Sequence, residues 1–421
     1  MRKPNSTIEA WPVDAEGDYV RMRAIGNGAY GKVWAARRRK LQKCGTCTTR
    51  SNDNGDGCER CHSCSNANLV AMKIIATSGK NGKAYAEREI SILGEMNHPN
   101  IVRLVHSYNE YSGGRLVVLS LARGPTLKEI VDEGGALSLP LARLVSRHLV
   151  AAISYLHSRA VLHRDLKPEN CVLDMQGYDS DWKHGGIMWN DDEYGKGHAE
   201  DIINRECWKV VLVDLGFARS LSVGELRPEN DANAAAAETV DEPQAFHYGD
   251  NENSHEIGQS FASRVLLRSM SALGSKAYAA PELTRIRKKT EEDTALTEYV
   301  SDYTFLADEF ALGKTLREVM TGVPAGERDI NEFVKLERLS GYFGGGKRKQ
   351  YRLLSEIPKD ASELLRDLLR PNARERITCW VAQLYPWICG GTAEELYRLP
   401  RGDVPSCPGD SVVVLDCMQS I

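Results

Sequence analysis

From Tyr19 to Ala36 the chain reads "YVRMRAIGNGAYGKVWAA", with apolar residues alternating on both sides of a glycine-rich turn. That alternation predicts a β-hairpin. "NLVAMKIIA", "IVRLVHSYNE" and "RLVVLSLA" have strand composition as well. Residues 80–96 put Ala86, Ile90, Leu93 and Met96 at helical spacing. The first ~120 residues therefore predict a five-stranded sheet with one helix, interrupted once at residues 37–68. After Gly124 the pattern turns helical. "LPLARLVSRHLVAAISYLHSR" gathers Leu141, Leu144, Val145, Leu149, Ala152, Ile153 and Leu156 on one side of a long helix. "NCVLD" and "KVVLVD" read as strands, and Ala280 to Ile388 reads as helices. Two polar stretches, about 176–206 and about 220–265, are long for loops within a compact domain and read as insertions. The tail contains one strand-like piece, "SVVVLD", and no internal repeat is evident.

Composition changes this picture little. Apolar residues make up 42% and charged residues 27% of 421 residues, which is ordinary for a globular protein. The net charge of -4 gives no pull towards nucleic acid or an anionic membrane. No apolar run approaches the ~20 residues of a membrane span, and "MRKPNSTIEAWPVDAEG" lacks the apolar core of a signal peptide. The expected location is cytosolic or nuclear. In that setting the eleven cysteines read as reduced thiols or metal ligands, not a disulfide framework. Cys44, Cys47, Cys58 and Cys61 have C-x2-C…C-x2-C spacing, suited to tetrahedral Zn²⁺, with Cys64 or His62 as substitute ligands. The other reading of that segment is a flexible Asn/Gly/Ser-rich loop with free thiols.

The chemistry concentrates in "VLHRDLKPENCVLD", Val161 to Asp174, where two short apolar runs look like a hairpin around a polar loop. The loop carries His163, Arg164, Asp165, Lys167 and Asn170, a mixture no simple turn requires. Asp165 can orient a hydroxyl and take its proton. Lys167 can neutralise a transferred phosphoryl group. Asn170 and Asp214 of "VVLVDLGFAR" are hard oxygen ligands suited to Mg²⁺. Upstream, Gly26, Gly28 and Gly31 form G-x-G-x-x-G. Such glycines let backbone approach an anion, although the same letters also occur in plain hairpin turns and in dinucleotide sites. The strand-like "KVWAA" that follows favours a phosphate flap. Lys73 sits in the apolar run "VAMKII", where its charge needs a partner. Glu89 in "AEREISIL" is the candidate, and the alternative is a lysine reaching solvent from a strand edge.

With these motifs in order, joined by "HPNIV", "AAPE" and "RERIT", the chain resembles the eukaryotic-type protein kinases over about Tyr19 to Ile388. The resemblance implies an α+β, two-lobed kinase fold with ATP and Mg²⁺ as cofactors. It implies a sheet-rich lobe at 19–121 and a helical lobe at 122–388, preceded by an extension, 1–18, and followed by a tail, 389–421. It implies that Lys73 holds the α- and β-phosphates and pairs with Glu89, that Asp165 is the catalytic base, and that Asn170 and Asp214 hold Mg²⁺. Ile25, Gly26, Asn27, Gly28, Gly31, Val33 and Ala71 become nucleotide contacts. Leu119 becomes the gatekeeper and Leu121 the hinge donor to adenine. Glu282 is expected to pair with Arg376, and Asp308 to buttress the catalytic-loop backbone.

Lysine in "HRDLKPEN" resembles the Ser/Thr branch, with Ser275 of "LGSKAYAAPE" in place of the family's threonine, able to bond Asp165 and Lys167. Protein substrates with Ser or Thr acceptors follow, and no nucleic acid. Arg164 beside Asp165 resembles kinases switched on by activation-loop phosphorylation, with Ser271 or Ser269 in "LRSMS" as the site and an upstream kinase as partner. Leu215 stands where Phe is usual and can fill that packing position. The alternative function is a pseudokinase scaffold that uses the insertions as docking surfaces; no substituted catalytic position favours it.

Overall fold

In a computed structural model of the chain, the described residues are 11–28, 31–39, 68–77, 82–175, 208–221, 267–271, 275–284, 287–288, 299–340 and 349–390. Cys44, Cys47, Cys58 and Cys61, with Cys64 and His62, lie outside them, as do the tail from 391 and nearly all of the two long insertions. The chain divides into two compact units. One comprises Met1–Pro125, Val172–Gly185 and Arg205–Ala218; the other comprises Thr126–Cys171, Gly186–Asn204 and Arg219–Ile421.

The first unit is built on an antiparallel sheet of β1 (Tyr19–Gly28), β2 (Gly31–Arg38), β3 (Leu69–Ala76), β4 (Leu104–Tyr111) and β5 (Gly114–Ser120), in the order β1-β2-β3-β5-β4. The β4–β5 turn is a two-residue loop, with Ser112 at φ 53° and Gly113 at φ 81°, the left-handed pair that matches strand twist. Strand alternation separates the faces of β3. Val70, Met72 and Ile74 join a core with Ala36, Tyr108, Leu116 and Val118. Trp11, Ala15 and Tyr19 enter the same core, so helix α1 (Val13–Asp18) packs on the sheet and does not hang from it. The Tyr108 hydroxyl donates to Asp18 at 2.8 Å, and the Arg21 guanidinium lies over the rings of Trp11 and Trp34 at 4.3 and 4.9 Å.

Helix α2 (Gly82–Glu95) buries Ala86, Glu89, Ile92 and Leu93. Ile90, expected on the buried face, is partly exposed. The inward stripe runs 86–89–93 because Glu89 takes the i+3 position. "HPNIV" fastens a further strand, β8 (Trp208–Leu212): Asn100 Nδ2 donates to the Val210 carbonyl at 2.8 Å, and the Leu212 N–H donates to the Asn100 carbonyl at 2.9 Å. Gly124 is required by close approach, since a Cβ there would lie 2.0 Å from the Leu173 carbonyl oxygen.

The second unit is mostly helical. Helix α3 (Leu127–Gly134) opens with a Thr126/Glu129 capping box. Helix α4 (Leu139–Ser158) buries Leu141, Leu144, Val145, Leu149, Ala152, Ile153 and Leu156, the stripe expected from the sequence. Helix α5 (Phe305–Thr321) is buried along nearly its whole length and is followed by α6 (Ile330–Ser340), α7 (Lys359–Leu368), α8 (Cys379–Ala382) and α9 (Pro386–Cys389). Arg143 and Ser146 of α4 hold α9 through the carbonyls of Pro386 and Trp387 and the Trp387 indole.

Two expectations are corrected. The apolar runs around the polar loop do not pair with each other: β6 (Val161–Leu162) pairs with β9 (Arg219–Ser220), and β7 (Cys171–Met175) pairs with β8. The region before α5, read as helical, contains strands. β12 (Tyr299–Tyr303) pairs with β10 (Leu267–Ser271) and β11 (Arg287–Lys288), with Ser271 opposite Val300. "YVSDY" is aromatic and β-branched enough to join a sheet once a partner strand is present.

Candidate active site

Each unit holds one cluster of the residues that the sequence singles out. In the first unit, Lys73 points from β3 to the face opposite the Met72 core and is 3% exposed. Its ammonium lies 2.6 Å from Glu89 Oε1 and 2.8 Å from Asp214 Oδ1. Burial pulls the lysine pKa down, but the two carboxylates outweigh it and hold the group above its ordinary value. Asp214 follows β8, so the "HPNIV" bonds that fix that strand also place this carboxylate. The Gly216 N–H donates to Asp214 Oδ1 at 3.0 Å, and Leu215 between them is buried.

The glycine-rich segment spans the β1–β2 hairpin, with Gly26 opposite Val33, Asn27 opposite Lys32 and Gly28 opposite Gly31. A Cβ on Gly26 would meet nothing within 4 Å. Ile25 is 40% exposed, and Val33 pairs with Lys73. Ala71 and Leu119 are buried and face each other across β3 and β5. Leu121 lies just past the end of β5.

In the second unit the polar loop closes around Asp165, 6% exposed. Its Oδ1 accepts the Ser275 N–H and the Ser275 hydroxyl, each at 3.0 Å. Its Oδ2 accepts Lys167 Nζ at 2.6 Å and Asn170 Nδ2 at 3.1 Å. Lys167 also donates to Ser275 Oγ at 2.8 Å. Asn170 Nδ2 donates to the Asp165 carbonyl as well, at 2.7 Å. Both acceptors are oxygens, which fixes the amide orientation and leaves Asn170 Oδ1 as the available hard ligand.

The loop backbone is held from below by Asp308, the fourth residue of α5 and fully buried. Its carboxylate accepts the N–H groups of His163 at 2.7 Å and Arg164 at 2.8 Å. Arg164 adopts φ 70°, a left-handed conformation that needs such support in a non-glycine residue. Burial raises the Asp308 pKa, yet the bonds from His157 and the loop backbone bring it below its ordinary value. Arg376 meets Glu282 with both ends of its fork, Nη1 to Oε1 at 2.7 Å and Nη2 to Oε2 at 3.1 Å. Ser269 and Ser271 lie on β10.

Several partners were not anticipated from sequence. Asp214 shares Lys73 with Glu89. Tyr278 donates to the buried Glu318 carboxylate at 2.8 Å. His157, near the end of α4, lies between Asp308 and Glu309. His157 follows an apolar helix stripe and Glu309 sits in "ADEFALG", so neither carries a sequence signal that separates it from helix surface. Among the described residues no group of three or more His, Cys, Asp or Glu side chains is arranged to hold a metal ion, and zinc gains no support there. No helix among them is long and apolar enough to cross a membrane.

A family model described as "Protein kinase domain" matches residues 54–231, which include Lys73, Glu89, Asp165, Lys167, Asn170 and Asp214. Over residues 54–231 the chain is similar to the protein kinase domain family. Its sheet-and-helix unit and its helical unit are those of the α+β, two-lobed kinase fold. Similar proteins include "Serine/threonine-protein kinase 36" of Pongo abelii, 31% identical over 210 residues, 49% of this chain and 12% of that protein. "Serine/threonine-protein kinase AtPK1/AtPK6" of Arabidopsis thaliana is 30% identical over 165 residues, 38% of this chain and 30% of that protein. "Calcium/calmodulin-dependent protein kinase type 1" of Macrobrachium nipponense is 23% identical over 328 residues, 77% of this chain and 68% of that protein. The matched region thus spans less than a third of the first two relatives.

Proposed function

We propose that this kinase transfers the γ-phosphate of Mg-ATP to serine and threonine hydroxyls of protein substrates. The observation that carries the reading is the Asp165 carboxylate, held on one oxygen by Ser275 and on the other by Lys167 and Asn170. Four hydrogen bonds fix the orientation of this carboxylate, and an oriented carboxylate is what a hydroxyl nucleophile needs as proton acceptor. Lys167 bridges Asp165 and Ser275, a position from which its ammonium can offset charge on the phosphoryl group in flight. Lys73, aimed by Glu89, would take the α- and β-phosphates.

A carboxylate on Asp214 and an amide oxygen on Asn170 are each hard ligands of the kind Mg²⁺ takes, and they are the residues proposed to hold it. Such a metal would supply charge neutralisation to the phosphates. Ile25, Gly26, Asn27, Gly28, Gly31, Val33, Ala71, Leu119 and Leu121 are the proposed contacts for the rest of the nucleotide. The domain runs from about 19 to 388 with residues 11–18 packed on it. Phosphorylation of Ser271 or Ser269 by an upstream kinase, with Arg164 as the phosphate partner, is the proposed control; phosphopeptide mapping of active enzyme tests it, and no modification at either serine removes it.

The test of the transfer itself is incubation of purified chain with ATP, with and without Mg²⁺, against a degenerate peptide library. Phosphoserine and phosphothreonine formed only with Mg²⁺ are expected. Nucleotide binding with no transfer to any peptide overturns the activity and favours a scaffold.

A further inference from the structure

His157 is enclosed on both ring nitrogens. Nε2 lies 3.1 Å from Asp308 Oδ2, and Nδ1 lies 3.3 Å from Glu309 Oε1; none of the three side chains is exposed. Glu309 is itself anchored by helix α8, accepting the Cys379 N–H at 2.9 Å and the Cys379 thiol at 2.5 Å. A neutral imidazole has one N–H and one lone pair, so between two carboxylates one side would be repulsive. An imidazolium is attracted on both sides, by a hydrogen bond from Nε2 to Asp308 and by its charge to the Glu309 carboxylate near Nδ1. Asp308 in turn accepts the backbone N–H groups of His163 and Arg164.

We propose that Glu309 is a positioning residue for phosphoryl transfer: it keeps His157 doubly protonated, and His157 then fixes the Asp308 carboxylate that holds the catalytic-loop backbone before Asp165. The inference rests on the kinase reading above. Burial alone would lower the imidazole pKa; the hydrogen bond to Asp308 and the Glu309 carboxylate 3.3 Å from Nδ1 reverse this and raise it to about 9. The other groups facing this cluster do not compete. On α8, burial and Glu309 push the Cys379 thiol well up, so it stays neutral. Phe305 and Trp380 present rings at 4.6 and 6.3 Å from the imidazole. His163 and Arg164 face Asp308 from the loop side.

Glu309→Gln keeps the size and an oxygen for the Cys379 N–H but removes the charge. In the native enzyme kcat should show no His157 inflection below about pH 8, given a pKa of about 9. In Glu309→Gln the inflection should move towards ~6.5, with kcat at pH 8 about tenfold below its value at pH 6 and KM for ATP unchanged. The His157 ring resonances should titrate with the same displaced midpoint. A variant with the native profile and native midpoint overturns the proposal. So does a loss that is uniform across pH, which marks mere packing. Should Glu309→Gln not fold, the His157 ring titration in the native chain serves: a midpoint near 9 is expected, and a midpoint at or below ~6.5 overturns the proposal. A native chain that transfers no phosphate at any pH sinks the kinase reading instead, while the His157 midpoint still decides the Glu309 coupling.

Discussion

Ser275 presents its backbone N–H and its hydroxyl to the same oxygen of Asp165, each at 3.0 Å. Lys167 closes the ring, 2.8 Å from the serine oxygen and 2.6 Å from the other carboxylate oxygen. A residue 110 positions away in sequence therefore orients the proposed base. Ser275→Ala keeps the N–H bond and loses the other two. We expect kcat to fall by ~10–100-fold, the scale of one or two charge-assisted hydrogen bonds, with KM for ATP little changed and Ser275→Thr near native. Steady-state kinetics check this; an alanine variant at native kcat contradicts it.

Lys73→Met would leave Glu89 and Asp214 facing each other without their shared cation. Removing one partner of a buried ion pair costs about 3–5 kcal/mol. The expected result is a lower melting temperature together with transfer reduced to background. Lys73→Arg should not restore transfer, because a planar fork does not replace a point charge.

Arg376 is buried and binds Glu282 with two bonds and the Arg370 carbonyl with two more, at 3.1 and 3.0 Å. A lysine has no fork to match this set. Arg376→Ala, which leaves the Glu282 charge uncompensated, should cost about 3–5 kcal/mol, and Arg376→Lys, which keeps the charge but loses the fork, should recover only part of that loss in melting temperature. Thermal unfolding of the two variants beside the native chain measures it; a lysine variant with native stability contradicts the account.

The His157 pKa, raised to about 9 against an ordinary value of 6.5, sets a direction for stability against pH. A group whose folded pKa is raised contributes its full stabilisation below the unfolded value and loses it as pH rises through the folded one. Stability should therefore decline between about pH 6.5 and 9, by on the order of 3 kcal/mol from this residue. Denaturant unfolding across that range, with His157→Gln as the flat reference, checks the sign.

Much of this was legible in the sequence because the chemistry is dense and local. Asp165, Lys167 and Asn170 lie within six residues, and the Asp165–Asn170 bonds follow from that spacing. The five strands and α2 of the first unit came from alternation and 3.6-residue periodicity. What escaped was long-range. Nothing around Asp214 says that it will share Lys73, 141 residues away. Apolar spacing alone puts Ile90 on the inner face of α2, whereas the buried cation on β3 draws Glu89 inward and leaves Ile90 partly exposed. Strand β12 went unrecognised because a five-residue strand between polar stretches is defined by its partner β10, not by its own periodicity. Glu309 and His157 look like ordinary helix residues until α4, α5 and α8 are packed together.

The most direct measurement is phosphoryl transfer by Asp165→Asn, using ATP-Mg²⁺ and the best peptide from the library, beside a nucleotide-binding titration. Asparagine keeps the size and one acceptor oxygen but cannot take a proton. The account predicts that kcat falls by about 10³-fold, within the range for loss of a general base, while the Kd for ATP stays within about threefold. Transfer by Asp165→Asn at the native rate, from a native enzyme that is active, would contradict it.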